Sequence, residues 1–263
     1  MRKQTVPFKI LSWIFLALIL LFILAPIGAT ILFSFDQGRF STLPLRGFTT
    51  KWYQEAFSDQ VVIQSLLNSV VIAVCSSAAA TALGFLASFG MRHWHSPLKS
   101  VFMAFSLSAM AIPWTILGLA LLIYYKGLGI HLSNLTVCIS HVIFLAPLAM
   151  STIHGKLKTI PYSVEDAALD LGANDVQTLW YVILPQAFPA VLSAMLLCFT
   201  LSFDEFIISW FVCGFDTTLP VYLFQVIRGG SKPTISAIGS VIFGISMTMN
   251  VLSQLLSHKK EAR

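Results

Sequence analysis

The sequence predicts an all-α integral membrane protein with six transmembrane helices, and three observations carry that prediction. Hydrophobic residues make up 57% of the 263-residue chain and charged residues 10%, a balance foreign to ordinary soluble domains. Several apolar runs reach about 18 to 25 residues, enough at a rise of about 1.5 Å per residue to cross a hydrocarbon core of roughly 30 Å. The runs do not alternate polar with apolar residues as barrel strands must, and in lipid only helices and closed barrels satisfy their own backbone.

The expected spans are residues 10–33, 65–89, 101–125, 135–153, 189–212 and 235–256. The first has a charged start in Arg2, Lys3 and Lys9, as a secretory signal would. Its apolar part is longer than such signals carry and no small-x-small cleavage site stands out, so a permanent helix is expected. Residues 34–64 read as an external cap with one amphipathic helix near 50–57. Its Trp52 and Tyr53 suit an anchor at the level of the lipid headgroups. In the third span Pro113 predicts a bend. Cys75, Cys138, Cys198 and Cys213 form no CxxC pair and read as small buried hydrophobes rather than disulfide or metal ligands.

Orientation follows from the cations. With a cytoplasmic N-terminus, ten of the 16 fall inside: Arg2, Lys3, Lys9, Arg92, Lys99, Lys156, Lys158, Lys259, Lys260 and Arg263. Arg39, Arg46, Lys51, Lys126, Arg228 and Lys232 fall outside. Both termini and the polar stretch 154–188 are then cytoplasmic. The same sorting accounts for the net charge of +5 without invoking nucleic acid. The whole chain reads as one membrane domain without an internal repeat. Six helices line half of a conduit more readily than a whole one, so a second membrane subunit is expected beside it.

Residues 161–185 are the one long soluble-looking segment in the C-terminal two thirds. Ser163 is placed to cap a helix, with Asp166 three residues on. Val164, Ala167, Ala168 and Leu171 fall at i, i+3, i+4 and i+7, an apolar stripe that leaves Glu165, Asp166 and Asp170 off it. Gly172 suits a left-handed stop. Asn174 and Gln177 form a second capping box, and Pro185 and Pro189 are expected to bound the helix that follows. A DNA-reading helix-turn-helix is excluded, since residues 165–185 contain no Lys or Arg to meet phosphates. Two readings stay open: packing against the protein's own spans, or docking to a separate cytoplasmic protein.

Asp166-Ala167-Ala168, three residues, Gly172, nine residues and Val182-Ile183-Leu184-Pro185 resemble the EAA motif of binding-protein-dependent ABC importer permeases, usually Glu-Ala-Ala-x3-Gly-x9-Ile-x-Leu-Pro. Asp166 stands where that family usually has Glu, and Val182 where it has Ile. The stretches GFTTKWY at 47–53 and SFDEFIISWFVCG at 202–214 resemble most the permease subunits of the spermidine/putrescine group. The resemblance implies a type I importer permease fold in which this loop docks as a coupling helix on an ATPase. It carries that role onto Ser163, Glu165, Asp166, Ala167, Ala168, Leu171 and Gly172. It further implies cytoplasmic ATP-binding subunits holding ATP and Mg, a second and different permease subunit, and an external solute-binding protein. No cofactor is expected on this chain itself, which lacks a GxxxxGK[ST] loop.

Asp204 and Glu205 fall inside the expected fifth span, where a carboxylate must face protein or water. Successive helical residues point about 100° apart, so one is expected on a transport pathway and the other on a helix partner or backbone donor. Trp114 and Trp210 could add cation–π contacts to a cationic amine. His141 reads as a hydrogen-bonded packing residue, and His93 with His95 as too few ligands for a metal. An ion-driven secondary transporter is the alternative function. An intramembrane hydrolase is disfavoured, because no HExxH, GxSxG or GxGD accompanies the carboxylates.

Overall fold

The computed structural model describes residues 6–38, 42–229 and 234–258. Among them the regular structure is helical, with one isolated antiparallel bridge between Asp36 and Phe48. Arg2, Lys3, Arg39, Lys232, Lys259, Lys260 and Arg263, all used in the charge count, lie outside the described residues. The helices group into two compact units, one of Met1–Ile63 with Leu223–Gly244 and one of Gln64–Tyr222 with Ile245–Arg263.

In the first unit, α1 (Val6–Ser34) is apolar on all sides and broadly exposed, as suits a helix that meets lipid rather than a protein core. Its end is tied to the following loop. The Trp52 indole N–H donates to the Asp36 carbonyl at 2.6 Å, the Ser34 and Tyr53 hydroxyls pair at 2.7 Å, and the Arg46 amide donates to the Asp36 carboxylate at 2.8 Å. These bonds seat the expected cap helix, α2 (Lys51–Ser58). Trp52 is buried with its N–H on a backbone acceptor and Tyr53 is half-buried, so the two aromatics staple the loop to the end of α1.

The second unit is built on α3 (Gln60–Arg92) and α6 (Asn134–Leu157). A Cβ on Gly84 would lie 2.6 Å from the Met150 amide nitrogen and 2.8 Å from the Ala149 Cβ, so the absence of a side chain is what lets these helices touch. The Ser88 hydroxyl donates to the Met150 carbonyl at 2.8 Å beside that contact.

The third span differs most from a straight crossing. The helix α4 (Leu98–Ser108) passes into a 3-10 turn, Ala109–Ala111, and breaks before α5 (Trp114–Gly127), the two halves meeting at 96°. Pro113 disfavours helical geometry in the residue before it, and Ile112 is extended with ψ 127°. The predicted bend is therefore a full break.

The fifth span is displaced relative to its expected limits. After α7 (Tyr162–Asp170), the short α8 (Asp175–Gln177), a π turn over Thr178–Ile183 and α9 (Leu184–Phe203) run on as one helical span. Pro185 does not end it, because it sits in the first turn of α9, where a missing N–H costs little. The wider π winding before it absorbs the register. The helix stops at Asp204, and a separate short helix α10 (Ile207–Val212) follows. An unforeseen helix, α11 (Leu219–Arg228), precedes the last span, α12 (Thr234–His258). Of the cysteines, Cys198 and Cys213 are buried as expected, Cys138 is half-buried and Cys75 is exposed on α3.

Gly84→Val is expected to destabilise the protein by about 1–3 kcal/mol through overpacking at the α3–α6 contact. A fall in the thermal unfolding midpoint in detergent, relative to Gly90→Val where a Cβ meets nothing within 4 Å, is the check.

Candidate functional site

The polar insert hangs from the bundle by one buried cation. Arg92, the last residue of α3, is 4% exposed. Its guanidinium donates to the Glu165 carboxylate and the Leu157 carbonyl, and to the Ile160 carbonyl at 2.7 Å. Its carbon centre lies 4.2 Å above the Tyr162 ring, and the Tyr162 hydroxyl donates back to the Arg92 carbonyl at 2.9 Å. The second oxygen of Glu165 meets His93 Nε2 at 2.7 Å. A buried pair survives only when its remaining donors and acceptors are met. Here the end of α6, the start of α7 and the end of α3 meet them together.

This geometry corrects two sequence readings. Glu165 is not a free docking carboxylate; it is 5% exposed and turned into the bundle. Ser163 is not the cap of α7, because the helix begins a residue earlier behind Pro161, which supplies the turn without a side-chain bond. The stop is as expected. Gly172 has φ +89°, the Ala173 amide donates to the Ala168 carbonyl at 3.0 Å and the Gly172 amide to the Leu169 carbonyl at 2.9 Å, the paired bonds of a Schellman ending. The Asn174–Gln177 capping box also forms, with bonds of 2.8 and 2.9 Å.

The apolar stripe of α7 is not buried in the bundle. Ala167 and Leu171 are exposed, Leu171 to 90%, while Val164 and Ala168 are half-buried. Asp166, Ser163 and Gly172 are exposed alongside them. Val176, Trp180 and Tyr181, beyond the turn, are exposed as well. Self-packing, the first of the two readings, therefore leaves most of this surface uncovered within the chain.

The two membrane carboxylates have separate surroundings. Glu205 is 2% exposed and accepts from the backbone amides of Ile208 at 2.7 Å and Ser209 at 2.9 Å, and from the Ser209 hydroxyl at 3.1 Å. It thus caps α10 with its side chain. Beside it His141 bridges the hydroxyls of Ser202 at 2.7 Å and Ser209 at 3.1 Å, and Ser202 pairs with Ser76 of α3 at 2.8 Å. This is the packing role read for His141. Asp204 is exposed and meets only the Ser246 hydroxyl of α12, at 2.6 Å, among the contacts described. Trp114 lies 5.7 Å from Phe144 and Trp210 lies 5.9 Å from Phe206, centroid to centroid, each just over a third exposed. Both carboxylates sit at the break after α9 and not inside a helix, which the apolar run 189–212 could not reveal.

Residues 80–261 match the family model described as binding-protein-dependent transport system inner membrane component. The chain is 31% identical to the spermidine/putrescine transport system permease protein PotC of Haemophilus influenzae, over 93% of this chain and 95% of that protein. It is 32% identical to the putrescine transport system permease protein PotI of Escherichia coli K12, over 85% and 82%. Among solved structures, a bacterial ABC transporter involved in the import of the acidic polysaccharide alginate superposes with TM-score 0.73 at 18% identity, covering 99% of this chain and all of the other. The likeness in coordinates establishes the type I importer permease fold.

Glu165→Ala strands the Arg92 guanidinium in a buried site, and a loss of about 3–5 kcal/mol is expected. The double change Arg92→Met with Glu165→Met should recover much of it. Equal melting temperatures for Glu165→Ala and the parent in detergent would contradict the buried pair.

Proposed function

Because this chain belongs to the family of binding-protein-dependent transport system inner membrane components, we propose that it lines part of the pathway of an ATP-driven importer for a small cationic amine of the spermidine/putrescine class. It acts as a non-catalytic subunit: a separate cytoplasmic ATPase holds ATP and Mg, a different permease chain completes the pathway, and an external solute-binding protein delivers the solute. Both termini and α7 are assigned to the cytoplasmic side.

The observation that carries this reading is the uncovered apolar surface of α7 on a rigidly held helix. Leu171 and Ala167 offer an exposed apolar face that a partner cleft can seat, with the half-buried Ala168 at its edge, while Glu165 on the other side of the helix is held to Arg92. A push on α7 then reaches α3 and α6 through the guanidinium and the Leu157 and Ile160 carbonyls. Nucleotide binding in the ATPase would favour one of two bundle packings, which is what alternating access requires. The relatives' names support the amine class, and the exposed Asp204 supplies a carboxylate that a cationic amine can meet. Glu205 is assigned to structure, since its oxygens are committed to α10.

Ala168→Arg should abolish co-purification of the ATPase while leaving membrane insertion intact, and retained pull-down would refute the docking role. In whole-cell uptake, Asp204→Asn should lower the rate of spermidine or putrescine entry by about tenfold or more, in line with a lost charge contact of roughly 1.5–3 kcal/mol. Glu205→Gln should instead lower the amount of folded protein, because the side-chain NH2 would face one of the two backbone N–H donors that a carboxylate oxygen now accepts. Unchanged uptake in Asp204→Asn removes the carboxylate from the pathway.

A further inference from the structure

Beside the Arg92 anchor, the ends of α3 and α6 and the starts of α4 and α7 line a partly open recess of about 80 Å3, bordered by Arg92, Lys99, His154, Leu157, Lys158 and Tyr162. Its polar groups fall into two sets. Arg92 and Tyr162 are engaged with Glu165, with carbonyls and with each other. The other three are not. Lys99 and Lys158 enter no ion pair among the described residues. His154 is 3% exposed, and its ring nitrogens make no hydrogen bond of normal geometry, with the Ser88 backbone as a polar neighbour. A buried polar group without a partner is costly enough that it calls for an explanation.

We propose that this recess binds a phosphate-bearing anion, with the Lys99 and Lys158 ammonium groups and an N–H of His154 donating to its oxygens. The lining supplies donors and positive charge, and the one nearby carboxylate, Glu165, is committed to Arg92 and His93. That inventory suits an anion and excludes a metal cation. Two sources share the chemistry: the headgroup of an anionic phospholipid, and free inorganic phosphate. The α4 surface next to Lys99 carries exposed Leu98, Val101, Phe102 and Phe105, a surface on which an acyl chain could lie. Occupancy would brace the joint from which α7 hangs, since Tyr162 and Arg92 form one wall of the recess. The inference concerns this chain alone and stands whether or not α7 docks on an ATPase.

The test uses the full chain with whatever subunits co-purify in mild detergent, in parental form and as Lys99→Gln with Lys158→Gln, both partly or fully exposed positions whose change leaves the fold intact. In the lipid arm, native mass spectrometry compares retention of phosphatidylglycerol with phosphatidylcholine. In the soluble arm, thermal unfolding is followed against inorganic phosphate. The lipid source predicts selective retention of phosphatidylglycerol by the parent, weakened at least about tenfold in the double variant. The soluble source predicts stabilisation by phosphate in the parent that the variant loses. His154→Leu should weaken the same signal with Lys99 and Lys158 in place, which separates a built site from surface charge. Identical behaviour of the parent and the double variant in both arms overturns the proposal.

Discussion

The ion pair between Arg92 and Glu165 is the constraint on which the cytoplasmic end of the second unit depends. Taking a guanidinium and a carboxylate out of water costs several kcal/mol per ion. Arg92 offsets that cost only by collecting Glu165, two carbonyls from the end of α6 and the face of Tyr162 at once. Those partners come from two pieces of chain, the end of α6 and the start of α7, and Arg92 itself from a third. The pair therefore fixes where α3 ends, how α6 terminates and which face of α7 points inward. The face opposite is left uncovered within the chain.

A second polar device operates deeper in the unit. The helix through α9 could have continued across the membrane, but Asp204 and Glu205 end it, and Glu205 restarts the chain as α10 by capping two backbone amides. His141, Ser202, Ser209 and Ser76 tie this break to α6 and α3. The bare contacts at Gly84 and Gly118, where an added Cβ would meet backbone or ring atoms within 3 Å, bring the surrounding helices close enough for those short side chains to reach. Irregular backbone at membrane depth is tolerated where protein surrounds it, and such places are where transporters bind what they carry.

The apolar runs made four of the six spans legible from sequence to within about five residues at each end, because length and hydropathy alone decide a crossing. The capping box at Asn174 and the glycine stop at Gly172 were equally legible, since both are local chemistry. What escaped was long-range. Glu165 looked like one of three surface acids, and its partner lies 73 positions away at the end of another helix. Pro185 looked like a terminator until a π turn placed it in a first turn, and the run 189–212 hid a break whose cause is the pairing of Glu205 with amides after it. The tie that Trp52 and Tyr53 make to the end of α1 was not legible either, because sequence could not show the Asp36 carbonyl and Ser34 hydroxyl that they meet.

The central claim is that α7 moves as one body with the end of α3. The most direct measurement is the distance between a spin label on α7 at Asp170 and one at His95, just past α3, in the assembled transporter with and without trapped nucleotide. The account predicts a distance that stays constant through the cycle while α7 shifts relative to helices elsewhere in the complex. A distance that changes between the two states would mean that α7 swings free of its anchor, and would contradict the claim.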